Sequence, residues 1–445
     1  MNKKSSKTKL LFCLIAKILM VGLAFTPAQA NHITPKLMAI VQDTVHPDQV
    51  LEWNQIFIDT LIATNTANSS SQRLGAIVHT AVFDAYNGVE RRYTPIYYTT
   101  DAPKGASRRA AAIAAAYTAL VGLFPSRQPQ LQANYAASLD ALSDDDGDGG
   151  KSVERGIEWG TEVAQAVLAW RATDGFNQSY PAFAGGLTTG QWRPTLNANG
   201  NPCGTGMSAQ PLAFTAMFFL DSNTQFRPVA PRGLNTDTYV DDFNTVKALG
   251  RDTGSTRTAD QTFLAPFWEG NASVHWNQAA NQIARANHSS MSDNNRLFAV
   301  LNIAMADTAF TTWSAKRFYG ADPGVITWRP ITAIAFGDDG NPATVEDPTW
   351  RPLINTPCHP EYSAGHPGLN GAGSSVLLAH FGDEQTFTLT TGANSRTYSS
   401  ISQARSDGNN ARVWGGMHYP SSVAISDGVG AAIADYVNAN AMLPK

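Results

Sequence analysis

Three short clusters in the last third of the chain bring together residue types that hold and handle an oxyanion. The first is Lys316-Arg317, followed by Trp328-Arg329-Pro330-Ile331-Thr332-Ala333-Ile334. The second is Pro357-Cys358-His359-Pro360-Glu361-Tyr362-Ser363-Ala364-Gly365-His366, and the third is Arg412-Val413-Trp414-Gly415-Gly416-Met417-His418. A tetrahedral oxyanion carries several charged oxygens, which two or three Arg or Lys side chains hold through charge-assisted hydrogen bonds. A glycine lets the backbone approach and donate an N–H, and a helix that begins just past it adds further donors and a favourable dipole. Two histidines then serve as nucleophile or axial ligand and as general acid/base. Lys316, Arg329, Arg412, Gly365, His366 and His418 make up that inventory. Each alone has an ordinary explanation, a surface charge or a core histidine, so the argument rests on the ordered trio.

The elements that must position these residues read as helices. Apolar residues at helical spacing run through 72–90, with Leu74, Ile77, Val78, Ala81, Val82, Ala85, Tyr86 and Val89 on one stripe. The alanine-rich stretch 107–124 has high intrinsic propensity. Further helices are expected over 156–172, 274–287, 292–318 with Ser292 as N-cap, 366–381, and 421–439 after Pro420-Ser421. Strand-like alternation is weak throughout, and 175–260 reads as irregular, rich in Gly, Pro, Asn and Thr. The fold class expected is all-α with long ordered loops, the kind of loop that carries function.

Lys3, Lys4, Lys7 and Lys9 precede an apolar run from Leu10 to Phe25, interrupted by Lys17, and Ala28-Gln29-Ala30 follows. This is the pattern of a secretory signal peptide over 1–30, cut after Ala30, which predicts a secreted or periplasmic protein. No later stretch is apolar for long enough to cross a bilayer, so no membrane contact is expected after cleavage. Residues 31–445 then read as a single domain with the anion site within 316–418. Loss of five leader lysines leaves 27 basic against 36 acidic residues, a net charge of −9. That balance argues against a nucleic-acid partner. Only Cys203 and Cys358 remain after cleavage; they either pair or stay as buried thiols, and they are too few for a cysteine-built zinc site. Asp144 to Gly150 resembles a calcium loop, but Arg155 stands where an EF-hand needs a bidentate acid, and a solvated acidic loop explains it as well.

The trio resembles the superfamily that joins vanadium-dependent haloperoxidases with type 2 phosphatidic acid phosphatases. Its pattern is Lys, a gap and Arg-Pro; then Pro-Ser-Gly-His; then Ser-Arg-x-x-x-Gly-x-His. Arg329-Pro330, Gly365-His366 and Arg412…Gly416…His418 match in order and spacing. Gly75 to Pro95 looks like the start of bacterial haloperoxidase-type proteins, so the resemblance covers most of the chain after the leader. It implies helical bundles of the vanadium haloperoxidase type and vanadate as cofactor. His418 would be the axial metal ligand, and Lys316, Arg329, Arg412 and the Gly365 backbone would hold the oxygens, with His366 as acid/base. Hydrogen peroxide, a halide and a small organic acceptor are the implied partners. His359 stands where bromide-using members carry histidine, which tilts the expectation to bromide or iodide.

Three departures from the pattern bear on the site. Residues Gly320–Val325 are inserted between Lys316 and Arg329, which would otherwise lie about two helical turns apart. Ala364 replaces the usual serine, with Ser363 one place early. The acid that often follows the last histidine is absent, because Ser422 stands there. Two other readings use the same residues: an exported acid phosphatase with His418 as nucleophile, and an oxyanion-binding protein without turnover.

Overall fold

The protein is described from a computed structural model covering residues 48–142, 150–195 and 206–445. Residues 1–30, the acidic run Asp144–Asp148 and Cys203 lie outside the described residues. The helices, in chain order, are α1 (Gln49–Ala63), α2 (Asn68–Glu90), α3 (Arg108–Leu123), α4 (Gln128–Asp140), α5 (Lys151–Ala172), α6 (Asp237–Leu249) and α7 (Ala259–Phe267). They continue with α8 (Ala272–Ala286), α9 (Met291–Gly320), α10 (Pro330–Phe336), α11 (Gly365–Phe381), α12 (Ile401–Trp414) and α13 (Pro420–Asn440). The fold is all-α. Among the described residues the sheet is a single antiparallel hairpin, β1 (Phe387–Thr391) with β2 (Asn394–Tyr398), Phe387 facing Tyr398. No single helix among them is long and apolar enough to cross a membrane.

Local chemistry sets the helix starts. Asp48 caps α1 by accepting from the Val50 and Leu51 N–H groups, and Thr258 with Gln261 forms a capping box on α7. The cap of α9 is Ser290, whose hydroxyl accepts from Asp293 N, rather than Ser292, which lies inside the helix. The stretch 175–260 is not wholly irregular: α6 lies within it, held by Tyr239, Asp242, Phe243 and Val246 on one buried stripe. A four-residue stripe in so polar a segment gives only a faint helical period.

Helix α9 is the central pillar. Its 30 residues are buried on nearly every side, and it packs against α2, α11 and α13. A helix enclosed this way needs small or apolar residues all round, not one stripe. The largest helix–helix contact is between α11 and α13, and glycines make it close. A Cβ on Gly430 would lie 1.8 Å from the Gly368 carbonyl oxygen, and one on Gly371 would lie 2.1 Å from that of Asp427. This crossing fixes the first turns of α11, where the second cluster ends, against the middle of α13. Gly430→Ala is therefore expected to destabilise the protein by about 1–3 kcal/mol, read from urea unfolding. Unchanged stability would mean that the two backbones do not cross so tightly.

Candidate oxyanion site

Each cluster enters the site from a different element. Lys316 sits on the last turns of α9 and is fully buried. Its ammonium donates to the Pro360 carbonyl at 2.6 Å and the Glu361 carbonyl at 3.1 Å. The helix runs on to Gly320, and the inserted residues 321–324 form an exposed turn in which Asp322 Oδ1 accepts from Gly324 N. The insertion thus points outward while Lys316 stays inside.

Arg329 stands immediately before α10, with Pro330 as the first helical residue. It donates from Nε to the His359 carbonyl at 2.9 Å and from a terminal nitrogen to the Met417 carbonyl at 2.9 Å. The same terminal nitrogen lies 3.2 Å from His418 Nε2, and the other lies 2.8 Å from His359 Nδ1. Guanidinium only donates, so both imidazole nitrogens accept there.

The loop 357–364 works as a strap of carbonyls that holds both cations. It ends at Ala364, the N-cap of α11, which offers no side-chain cap; its own N–H donates to Ser426 Oγ at 2.7 Å. The first turn of α11, from Gly365, keeps its N–H groups free of any capping side chain. On His366, Nε2 lies 3.3 Å from Asn68 Nδ2 and 3.3 Å from the Gly270 carbonyl.

Arg412 ends α12. Gly416, at φ 77, turns the chain back, so that the Met417 and His418 N–H groups both return to the Arg412 carbonyl. A Cβ at Gly416 would meet the Gly250 carbonyl oxygen at 2.6 Å, so only glycine fits this reversal. The turn aims His418 into the site. There its Nδ1 lies 2.8 Å from Glu361 Oε1, both side chains being 2% exposed.

Charge dominates the result. Lys316, Arg329 and Arg412 are all buried, and each depresses its neighbours. Burial first, then Arg329, holds the Lys316 ammonium well below its ordinary value, against the pull of Glu361. Burial brings Arg329 down to about 9 and Arg412 to about 10, still charged at neutral pH. Burial also raises Glu361 to about 7, opposed by Arg329 and Lys316. His359, His366 and His418 are held well below the usual imidazole range, by burial and then by the surrounding cations. They are neutral near pH 7. Nε and one terminal nitrogen of Arg412 are buried without a hydrogen-bond partner. Partnerless buried donors are rare in native proteins, and here they belong to a cation among cations. A multiply charged oxyanion supplies both the missing acceptors and the missing negative charge, so the donor set fits vanadate or phosphate.

Lys316, Arg329, His359, Gly365, His366, Arg412 and His418, the residues proposed from the sequence for the anion site, lie in or beside it. The sequence reading missed Glu361 as the partner of His418, Trp313 as the ring beside His359 (centroids 5.2 Å apart), and Asn68 beside His366. The signal for Glu361 was a carboxylate inside the second cluster with no assigned work. Cys358 is in a disulfide, and both cysteines able to partner it, Cys13 and Cys203, lie outside the described residues.

Residues 296–443 match the family model of the VCPO second helical-bundle domain. Among solved structures, the chain is similar to a bacterial vanadium-dependent iodoperoxidase, with TM-score 0.72 and 21% identity over 90% of this chain and 98% of that one. It is also similar to a holo-type bacterial vanadium-dependent chloroperoxidase, with TM-score 0.62 and 16% identity over 82% and 90% of the two chains. The apo-type form of a bacterial chloroperoxidase gives 0.62 and 17% over 83% and 93%. No curated protein matches by sequence. The fold is that of the vanadium haloperoxidases.

The unbalanced cations make anion binding a stability term. Phosphate or vanadate at about 100 times its dissociation constant is expected to raise the unfolding free energy by about 2.7 kcal/mol. Lys316→Met is expected to cost about 1–3 kcal/mol in anion-free buffer, because the Pro360 and Glu361 carbonyls lose their donor. It should also lose most of the anion effect. Urea titrations with and without phosphate check both, and full anion stabilisation in Lys316→Met would place Lys316 outside the site.

Proposed function

We propose that the chain is an exported vanadate-dependent haloperoxidase, which uses hydrogen peroxide to oxidise bromide or iodide to hypohalous acid. The observation that carries this reading is the gathering of three buried cations, with partnerless donors on Arg412, around the His418 imidazole, which all three depress. The leader pattern over 1–30 supports export.

Vanadate, when bound, supplies a Lewis acid that makes peroxide oxygen electrophilic. Lys316, Arg329 and Arg412 would hold its oxygens and neutralise their charge, and the Gly365 backbone would add a donor at the start of α11. His418 would offer the Nε2 lone pair as the metal ligand, and the Arg329 terminal N–H that now faces that nitrogen would then be free for an oxygen of the anion. His366 handles protons at Nε2. When neutral there, it accepts from Asn68 Nδ2; when protonated, it donates to the Gly270 carbonyl, so neither state is left without a partner. A small organic acceptor then takes the halogen from the released hypohalous acid.

The preference for bromide or iodide rests on two features of the chain. Ala364 leaves the site one hydroxyl donor short, which lowers its electrophilic power and suits halides that give up electrons readily. His359, beside Trp313 and Arg329, provides a polar ring rather than a bulky aromatic one in the wall. A relative in fold is named as an iodoperoxidase, which agrees with this reading.

Protein loaded with vanadate is expected to brominate a phenol dye only with peroxide and bromide present. His418→Ala should lose both vanadate retention and bromination while keeping the wild-type far-UV spectrum. Full bromination by that variant sinks the assignment of His418, and hydrolysis of a phosphate ester with no peroxide-dependent halogenation points to the phosphatase reading. At the donor level, Ala364→Ser should tighten vanadate binding by at most about tenfold, the worth of one hydrogen bond. Lys316→Ala should weaken it much more. Dissociation constants for the two variants measure the contrast.

A further inference from the structure

His418 must present a lone pair at Nε2, and a free imidazole has two neutral tautomers of which one does so. Two contacts decide between them. Arg329 has only hydrogens to give, and its terminal nitrogen lies 3.2 Å from Nε2, so Nε2 carries no proton. Glu361 Oε1 has only lone pairs to give when ionised, and it lies 2.8 Å from Nδ1, so Nδ1 carries the proton. The same Oε1 accepts from Tyr419 N at 3.2 Å. It is therefore fixed against the backbone that follows His418, and does not swing with its own side chain.

The anchoring extends through the main chain. The Glu361 N–H donates to the Thr327 carbonyl at 2.8 Å, and its own carbonyl accepts from Lys316. One residue thus ties the Lys316 helix, the approach to Arg329 and the His418 turn together. A carboxylate on the outer nitrogen of a ligating histidine orients the ring and raises its basicity. Position 422, where the superfamily pattern places an acid, is a buried serine here. Ser422 and Glu361 line one cavity of about 20 Å³ together with Tyr239, Asp242 and Tyr419. The two positions therefore open on the same small space.

We propose that Glu361 is the positioning carboxylate of His418, supplied from the loop before α11 in place of an acid at position 422. This rests on the vanadate reading only for the identity of the ligand that Nε2 serves. The choice of tautomer is a property of the anion-free protein.

The test uses full-length mature protein and two readouts. The first is the His418 tautomer, read without anion from the imidazole nitrogens in ¹⁵N NMR. The Nδ1–H form is expected in wild type, in Glu361→Gln, which keeps an acceptor oxygen, and in Arg329→Met, where Glu361 alone is left to choose the tautomer; a mixed population is expected when Glu361→Leu is added to Arg329→Met. The second readout is the vanadate dissociation constant. Glu361→Gln should raise it by about 10–100-fold, the usual effect of losing such a partner, and adding Ser422→Asp to that variant should recover part of the loss. Vanadate affinity in Glu361→Gln within twofold of wild type overturns the proposal. So does a mixed tautomer population in Arg329→Met, because Glu361 then does not choose the tautomer and is only a structural group. Wild-type protein that binds no vanadate removes the proposed function, while the tautomer comparison still decides the role of Glu361.

Discussion

Three buried cations share one buried carboxylate, and much of the molecule is arranged to keep that imbalance in place. Lys316, Arg329 and Arg412 repel one another at a depth where water screens little. Only surroundings that over-determine each side chain can hold them. The strap 357–361 does part of this by giving main-chain carbonyls to two of the three, from His359, Pro360 and Glu361. Carbonyl dipoles ease a cation without cancelling it, so the net positive charge survives for an anion to meet.

The helices supply rigidity in proportion. Lys316 rides on the most enclosed helix of the fold, so its backbone moves little whatever its ammonium binds. The glycine-mediated crossing of α11 and α13 brings an uncapped helix start beside the turn that presents His418. An N-cap side chain on α11 would compete for the N–H groups that face the site. Alanine at 364 makes no such claim, and Ser426 on α13 engages only the Ala364 N–H. What looks like a lost donor in one position also leaves the helix end more open.

Much of this was legible from residue types and spacing. Long alanine-rich or striped segments announced α2, α3, α9 and α13, because burial demands small or apolar residues at helical period. Helix α12 was silent, since Ser406-Asp407-Gly408-Asn409-Asn410 has poor propensity and forms a helix only where α7 and α11 pack against it. The hairpin at 387–398 was silent too, being too short for its alternation to register. Within the site, charged and glycine positions could be read because their chemistry is written in their type. Partnerships could not: Glu361 meets His418 across 57 positions, and Asn68 meets His366 across 298. Which carboxylate orients a histidine is decided by the packing of remote segments, and a single sequence carries no mark of that choice.

The disulfide at Cys358 adjoins the strap that holds both Lys316 and Arg329, and the Cys358 carbonyl also accepts from Ser208 N at 2.7 Å. The covalent link is thus one residue from the first of the carbonyls that grip the cations. A chain synthesised in a reducing cytoplasm begins without that link, while the main helical core, of which Cys358 is no part, keeps all its own contacts. Two preparations of one sequence can then share a circular dichroism spectrum and differ in how firmly the strap is moored. For this protein, the compartment of manufacture belongs to the definition of the sample.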